Sequence, residues 1–127
     1  TFAKDKIFAN LTLSDEEMRL YEKVWAPLSE ALPKPDLVIH LTASVDTCLS
    51  RIKQRGRSFE KSITADYLKQ LTEAYNYFFH HYRETPLLVV DTNQIDFVKR
   101  KEDLEDLIRQ ITRPFRGTQF YVPRGSR

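Results

Sequence analysis

The sequence predicts an α/β fold built on parallel strands. Residues 36–41 (DLVIHL) and 87–90 (LLVV) are apolar runs without polar alternation, the pattern of strands buried on both faces. Segments with apolar residues spaced by three and four lie before, between and after these runs, as amphipathic helices require. Strand and helix therefore alternate, which favours a parallel sheet joined by right-handed crossovers.

Each element has its own local cause. Thr1-Phe2-Ala3-Lys4 reads as the middle of a helix, and the chain lacks an initiator Met, so the sequence is expected to be a piece of something longer. Ser14-Asp15-Glu16-Glu17 is a helix start, with a hydroxyl cap, acids in the first turn and Glu17 placed for a capping box. Met18, Tyr21, Trp25 and Leu28 continue it, and the helix is expected to fail near Pro33. After the first strand, Ser44 offers a cap and Asp46 a first-turn acid to a helix whose buried stripe is Val45, Leu49 and Ile52. Leu68, Leu71, Tyr75, Phe78 and Tyr82 predict a long helix over residues 64–82. The second strand ends at Asp91, and Leu104, Leu107, Ile108 and Ile111 mark a last helix. Two strands make a poor sheet alone, so further strands are expected from elsewhere. Residues 1–112 read as one unit and 113–127 as a basic tail, in which Val122-Pro123-Arg124-Gly125-Ser126 resembles a protease-cleavage sequence and is set aside from the fold.

Composition narrows the classes of function. With 127 residues the chain amounts to a single domain. A net charge of +2 gives no reason to expect a nucleic-acid or membrane partner. Cys48 is the only cysteine, which excludes an internal disulfide and a cysteine-based zinc cage and favours a reducing compartment. No apolar run approaches the roughly 18 residues of a bilayer span. A cytoplasmic protein is expected.

The segment Arg51-Ile52-Lys53-Gln54-Arg55-Gly56-Arg57-Ser58-Phe59-Glu60 carries the most chemistry. Arg51 and Arg55 are four apart and share a helix face, Gly56 is a helix C-cap, and Arg57 and Glu60 follow on a loop. Planar, permanently charged forks on such a segment suit the oxygens of a transferring phosphoryl group. The same spacing also fits a solvated basic helix end answering the helix dipole. In open parallel sheets, ligands sit beyond the carboxyl ends of the strands, so this segment and Asp91-Thr92-Asn93 can border one crevice, although Asp91 also fits a turn-initiating role. The only glycines are Gly56, Gly117 and Gly125, so no G-x-x-x-x-G-K-[ST] phosphate loop can be written and autonomous kinase activity is not expected. His80-His81 lacks a second ligand cluster and reads as exposed helix surface. Tyr75, Tyr77, Phe78, Phe79 and Tyr82 read as core or subunit packing rather than a base-stacking platform, and Cys48 as a small buried residue.

Several of these stretches, in order and at matching distances, resemble the deoxynucleoside kinase family. They are residues 35–44 (PDLVIHLTAS), Thr47-Cys48-Leu49-x-Arg51-Ile52, Arg55-Gly56-Arg57-x-x-Glu60, Asp66-Tyr67-Leu68-x-x-Leu71, Leu88-Val89-Val90-Asp91 and Asp96-Phe97. The match corresponds to the C-terminal half of such an enzyme, with residues 1–112 as that half of a single kinase domain including its lid. The resemblance implies part of a P-loop-kinase-type parallel sheet wrapped by helices, with the P-loop half not in this sequence. It further implies a homodimer that moves the γ-phosphate of ATP to the 5′-hydroxyl of a deoxynucleoside, with Mg²⁺. By that resemblance Arg51 falls where the lid contacts the donor base and phosphates, and Arg55 and Arg57 where lid arginines neutralise the transferring phosphoryl group. Glu60 falls where a carboxylate meets the sugar 3′-hydroxyl, and Asp96-Phe97 in the loop against the donor adenine. The stretch after Asp91 is one residue longer than in some relatives. Phe2 is aligned with the aromatic that packs on the acceptor base.

The family's P-loop, its catalytic glutamate and its Glu/Asp-Arg-Ser motif belong to the half not present here. Magnesium ligands are therefore not expected in this chain, and the acceptor base is not decided by it, with a lean to purine. Rival readings are a nucleoside-monophosphate kinase of the thymidylate kinase type, which the position of Glu60 opposes, and a non-catalytic binding or dimerisation module built on the aromatic helix and basic tail. In the complete enzyme, Arg57→Ala is expected to lower kcat about 10²–10³-fold, as loss of other charge-stabilising donors does. Steady-state turnover within a few-fold of wild type would reject that role.

Overall fold

A computed structural model describes residues 2–55, 63–96, 99–114 and 116–123, the side chains of Phe2 and Ala3 excepted. Gly56, Arg57, Glu60 and Phe97 lie outside the described residues, as does the side chain of Phe2. The elements follow in the order α1 (Phe2–Thr12), α2 (Asp15–Ala31), β1 (Val38–Thr42), α3 (Val45–Arg55), α4 (Ala65–His80), β2 (Leu87–Asp91), α5 (Lys101–Ile111) and β3 (Thr118–Tyr121). Among the described residues the sheet has the order β1-β2-β3 and every pairing is parallel.

Local chemistry sets the helix ends. The Ser14 hydroxyl accepts from the Glu17 N–H at 3.3 Å, and the Glu17 carboxylate accepts from the Ser14 N–H at 2.9 Å, which closes the expected capping box. These bonds hold the Glu17 carboxyl below its ordinary pKa. The helix runs through Pro27, which supplies no N–H to the turn before it, and stops at Ala31. Thr64 caps α4 by accepting from the Tyr67 N–H at 3.1 Å.

β2 is the central strand, and Leu87, Leu88 and Val90 are almost completely buried. Leu88 and Val90 pack with Ile95 and with Leu107 of α5, joined by Leu37, Ile111 and Tyr121. Each such fully buried side chain contributes about 1.5–3 kcal/mol. On the far side of the molecule Ile7 of α1 and Leu68 of α4 are buried, and the α4 stripe of Leu71, Tyr75 and Phe78 is half-buried, as its periodicity predicts, with Tyr82 half-buried just beyond the helix end at His80.

Two features differ from expectation. β1 is not buried on both faces: Ile39 and Leu41 are 36% and 48% exposed. They share register with Leu88 and Val90, which α5 covers. A helix about 10 Å across spans roughly two strands spaced about 4.8 Å apart, so α5 leaves the third uncovered. The sheet also draws a strand from the stretch read as tail, since β3 pairs with β2 from Leu87↔Thr118 to Val90↔Tyr121. Gly117, at φ 60°, makes the turn into it, and its carbonyl accepts from the Leu87 N–H at 3.0 Å.

His40 of β1 is buried against α4, its ring 4.5 Å from that of Phe79 and 6.1 Å from that of Tyr75. Burial lowers the His40 pKa from its ordinary 6.5. The folded state therefore favours the neutral ring, and the unfolded chain binds more protons as pH falls below that value. This contribution to stability is complete above the unfolded pKa and is lost on acidification toward the depressed folded value. Tm is expected to fall between about pH 7.5 and about pH 5.5, and His40→Phe, which keeps an aromatic ring, is expected to flatten that fall. An unchanged pH profile in thermal melts of the variant would refute the assignment.

Candidate active site

The carboxyl ends of β1 and β2 are tied together before any ligand chemistry begins. The Thr42 carbonyl, at the end of β1, accepts from both the backbone N–H and the hydroxyl of Thr92, each at 2.8 Å. Beside this, the Asn93 side-chain carbonyl accepts from the Ser44 N–H at 2.8 Å. The Asp91 carboxylate accepts from the Asn93 N–H and side-chain amide, both at 2.9 Å. Asp91 thus has the turn-initiating role. Ser44, now fixed, caps α3 by accepting from the Thr47 N–H at 3.1 Å.

Helix α3 then presents Arg51 and Arg55 toward the same opening. Arg51 is half-buried and its fork is engaged: Nη1 donates to the Thr92 hydroxyl at 2.8 Å, and Nη2 to the carbonyls of Thr92 at 2.5 Å and Ile95 at 3.1 Å. Arg55, one turn on, is exposed. The loop that Arg51 grips leads to Asp96, which α5 holds from the other side. The buried Asp103 carboxylate accepts from the Asp96 N–H at 2.8 Å, with Arg100 Nε 3.7 Å away. Asp96 in turn accepts from the Lys99 N–H at 3.0 Å.

These residues border one groove of about 930 Å³, running along β1 between α4 and the loop after β2. Its walls include Arg51, Arg55, Asp96 and Lys99 at one end and His40 and Tyr75 deeper along α4. Sites for drug-sized ligands span roughly 300–1,000 Å³, so the space admits a nucleotide-sized molecule. Burial raises the Tyr75 hydroxyl pKa, with a smaller contribution from Tyr67. Three residues that the sequence singles out, Arg51, Arg55 and Asp96, are thus brought to one groove. The described aromatic of α1 nearest α4 is Phe8, whose ring meets Tyr75 edge-on at 6.5 Å. Cys48 is half-buried on the groove wall, and His80 and His81 are exposed. Among the described residues no three His, Cys, Asp or Glu side chains converge as a metal site, and no helix is long and apolar enough to cross a membrane. Thr92 and Asp103 escaped the sequence reading, although Thr92 stands in the Asp91-Thr92-Asn93 turn and Asp103 in the first turn of α5.

The family model for deoxynucleoside kinases matches residues 1–115. The chain belongs to the deoxynucleoside kinase family. It is 38% identical over 112 residues to a deoxyguanosine kinase of Bacillus subtilis (strain 168), an overlap of 85% of this chain and 54% of the relative. A deoxyadenosine kinase of Lactobacillus acidophilus is 31% identical over 121 residues, covering 87% of this chain and 56% of the relative. One from Dictyostelium discoideum is 33% identical over 126 residues, covering 94% and 49%. The chain spans about half the length of these curated relatives.

The Asp103 contact defines what holds the Asp96 end of the groove. Asp103→Ala leaves the Asp96 N–H without its acceptor and removes an acid from the first turn of α5, a loss expected at about 1–3 kcal/mol. Denaturant melts check it, and a change below about 0.5 kcal/mol would show that the contact is replaced by water.

Proposed function

We propose that the protein to which this chain belongs is a cytoplasmic deoxynucleoside kinase of nucleotide salvage, transferring the γ-phosphate of ATP to the 5′-hydroxyl of a deoxynucleoside. The observation that supports this most is the convergence of Arg51, Arg55 and Asp96 on one groove beyond the carboxyl ends of parallel strands, in a chain of this family. Relatives that act on deoxyguanosine and deoxyadenosine favour a purine acceptor.

In this reading the 5′-hydroxyl oxygen forms the new bond to the γ-phosphorus while the bond to the β–γ bridging oxygen breaks and ADP departs, the hydroxyl proton passing to the carboxylate base that the family carries outside this stretch of sequence. The chain's own residues position and neutralise. Arg55 and Arg57 answer the charge spread over the phosphoryl oxygens, Arg51 and the Asp96-Phe97 loop hold the donor, and Glu60 accepts a hydrogen bond from the sugar 3′-hydroxyl. Phe2 packs on the acceptor base. Transfer through a loose transition state depends on such placement and charge, more than on covalent participation. When bound with the donor, Mg²⁺ would supply further charge neutralisation, and no magnesium ligand is assigned to the described residues. Closure of the arginines over the phosphates also excludes water and limits hydrolysis.

The reading includes a homodimer. It is supported by an exposed apolar row on α2, formed by Leu20, Val24 and Leu28 at four-residue spacing. The test is direct: the complete protein is assayed with ATP against the four deoxynucleosides and their monophosphates, and the 127-residue chain is assayed beside it. Phosphorylation of a purine deoxynucleoside by the complete protein, with the chain alone at the no-protein rate, is the expected result. Turnover of monophosphates but not nucleosides would transfer the assignment to a nucleoside-monophosphate kinase.

A further inference from the structure

Thr92 occupies an unusual position for a residue without an assigned role. It is 3% exposed, yet its hydroxyl is fully used, donating to the Thr42 carbonyl and accepting from Arg51 Nη1, each at 2.8 Å. One oxygen does both, so a side chain of the same shape without it would leave the guanidinium facing a methyl group. Arg51 reaches past it to the Thr92 and Ile95 carbonyls, gripping the segment just before Asp96. Asp103 fixes the following N–H. The loop is therefore clamped from two helices, α3 through Arg51 and α5 through Asp103.

We propose that Thr92 is a positioning residue for the phosphate-donor end of the groove. Its hydroxyl locks the Arg51 guanidinium onto the β2–α5 loop, so that the arginine-bearing helix and the loop carrying Asp96 behave as one piece. The proposal deepens the kinase reading and rests on it for the identity of the ligand, a nucleoside triphosphate. The clamp itself rests only on the geometry. The planar fork spreads its donors over two nitrogens, Nη1 for the Thr92 hydroxyl and Nη2 for the two carbonyls, where a lysine would offer one nitrogen.

The test uses the complete protein as wild type, Thr92→Val and Thr92→Ser. KM is measured for ATP at saturating deoxynucleoside and for deoxynucleoside at saturating ATP, and amide hydrogen exchange is followed in residues 48–55 and 92–96. Losing a charge-assisted hydrogen bond is expected to raise the ATP KM roughly tenfold in Thr92→Val, with the deoxynucleoside KM within about twofold of wild type. Thr92→Ser is expected to behave as wild type, and exchange in Thr92→Val to rise in both segments together. Equal changes in the two KM values, or faster exchange confined to residues 92–96, would overturn the proposal and leave Thr92 as packing only. A wild-type protein without deoxynucleoside kinase activity would sink the functional reading alone, and the exchange data would still decide the clamp. If Thr92→Val does not fold, Arg51→Met decides: faster exchange in residues 92–96 supports the clamp, and unchanged exchange rejects it.

Discussion

The Thr42 carbonyl is the point from which the geometry of the groove follows. By accepting two hydrogen bonds from Thr92 it brings the ends of β1 and β2 to one place. The start of α3 and the loop toward α5 then leave the sheet side by side. Parallel strands open a crevice at their carboxyl ends only if the connections diverge there, and here they diverge from a hydrogen-bonded pin. Asn93 reinforces it by satisfying the Ser44 N–H at the foot of α3. Arg51 and Arg55 inherit their direction from that start, and Asp96 inherits its position from the loop on the other side.

Most of the fold was legible because its signals are local. The capping box of α2, the hydroxyl cap of α3 and the apolar run of β2 each depend on residues within a few positions of one another. β3 was not legible for the opposite reason. Thr118-Gln119-Phe120-Tyr121 is too short and too polar to announce a strand, and it becomes one because β2 offers a parallel edge beside it. The exposure of Ile39 and Leu41 was equally hidden. An apolar run reports that a strand suits burial, but only the placement of α5 decides which of its residues are covered.

The candidate site divides along the same line. The four-residue spacing of Arg51 and Arg55 places both on one helix face, and both do line the groove. What Arg51 holds lies some forty residues away, at Thr92 and Ile95, and nothing in the chemistry of a threonine after a strand marks it as the acceptor. Asp91 was open to two roles, and its bonds to Asn93 resolve it as a turn residue. Asp103 shows a similar limit. A first-turn acid is expected at any helix start, and its use as an acceptor for the Asp96 N–H depends on a loop that sequence alone cannot place.

The exposed face of β1 bears on how the chain assembles. Pairing β1 with β2 joins Val38 to Leu87, whereas pairing β2 with β3 joins Leu87 to Thr118, a shorter closure. The difference in closure entropy is only about 0.4 kcal/mol, too little to set an order of events. Desolvation weighs more. The β2–α5–β3 unit encloses Leu88, Val90 and Leu107 in its own core, while β1 brings Ile39 and Leu41 that remain partly in water. The best-enclosed part of the sheet therefore lies in the last third of the chain, and β1, with the arginine-bearing helix that follows it, borders that core with one face left partly in water.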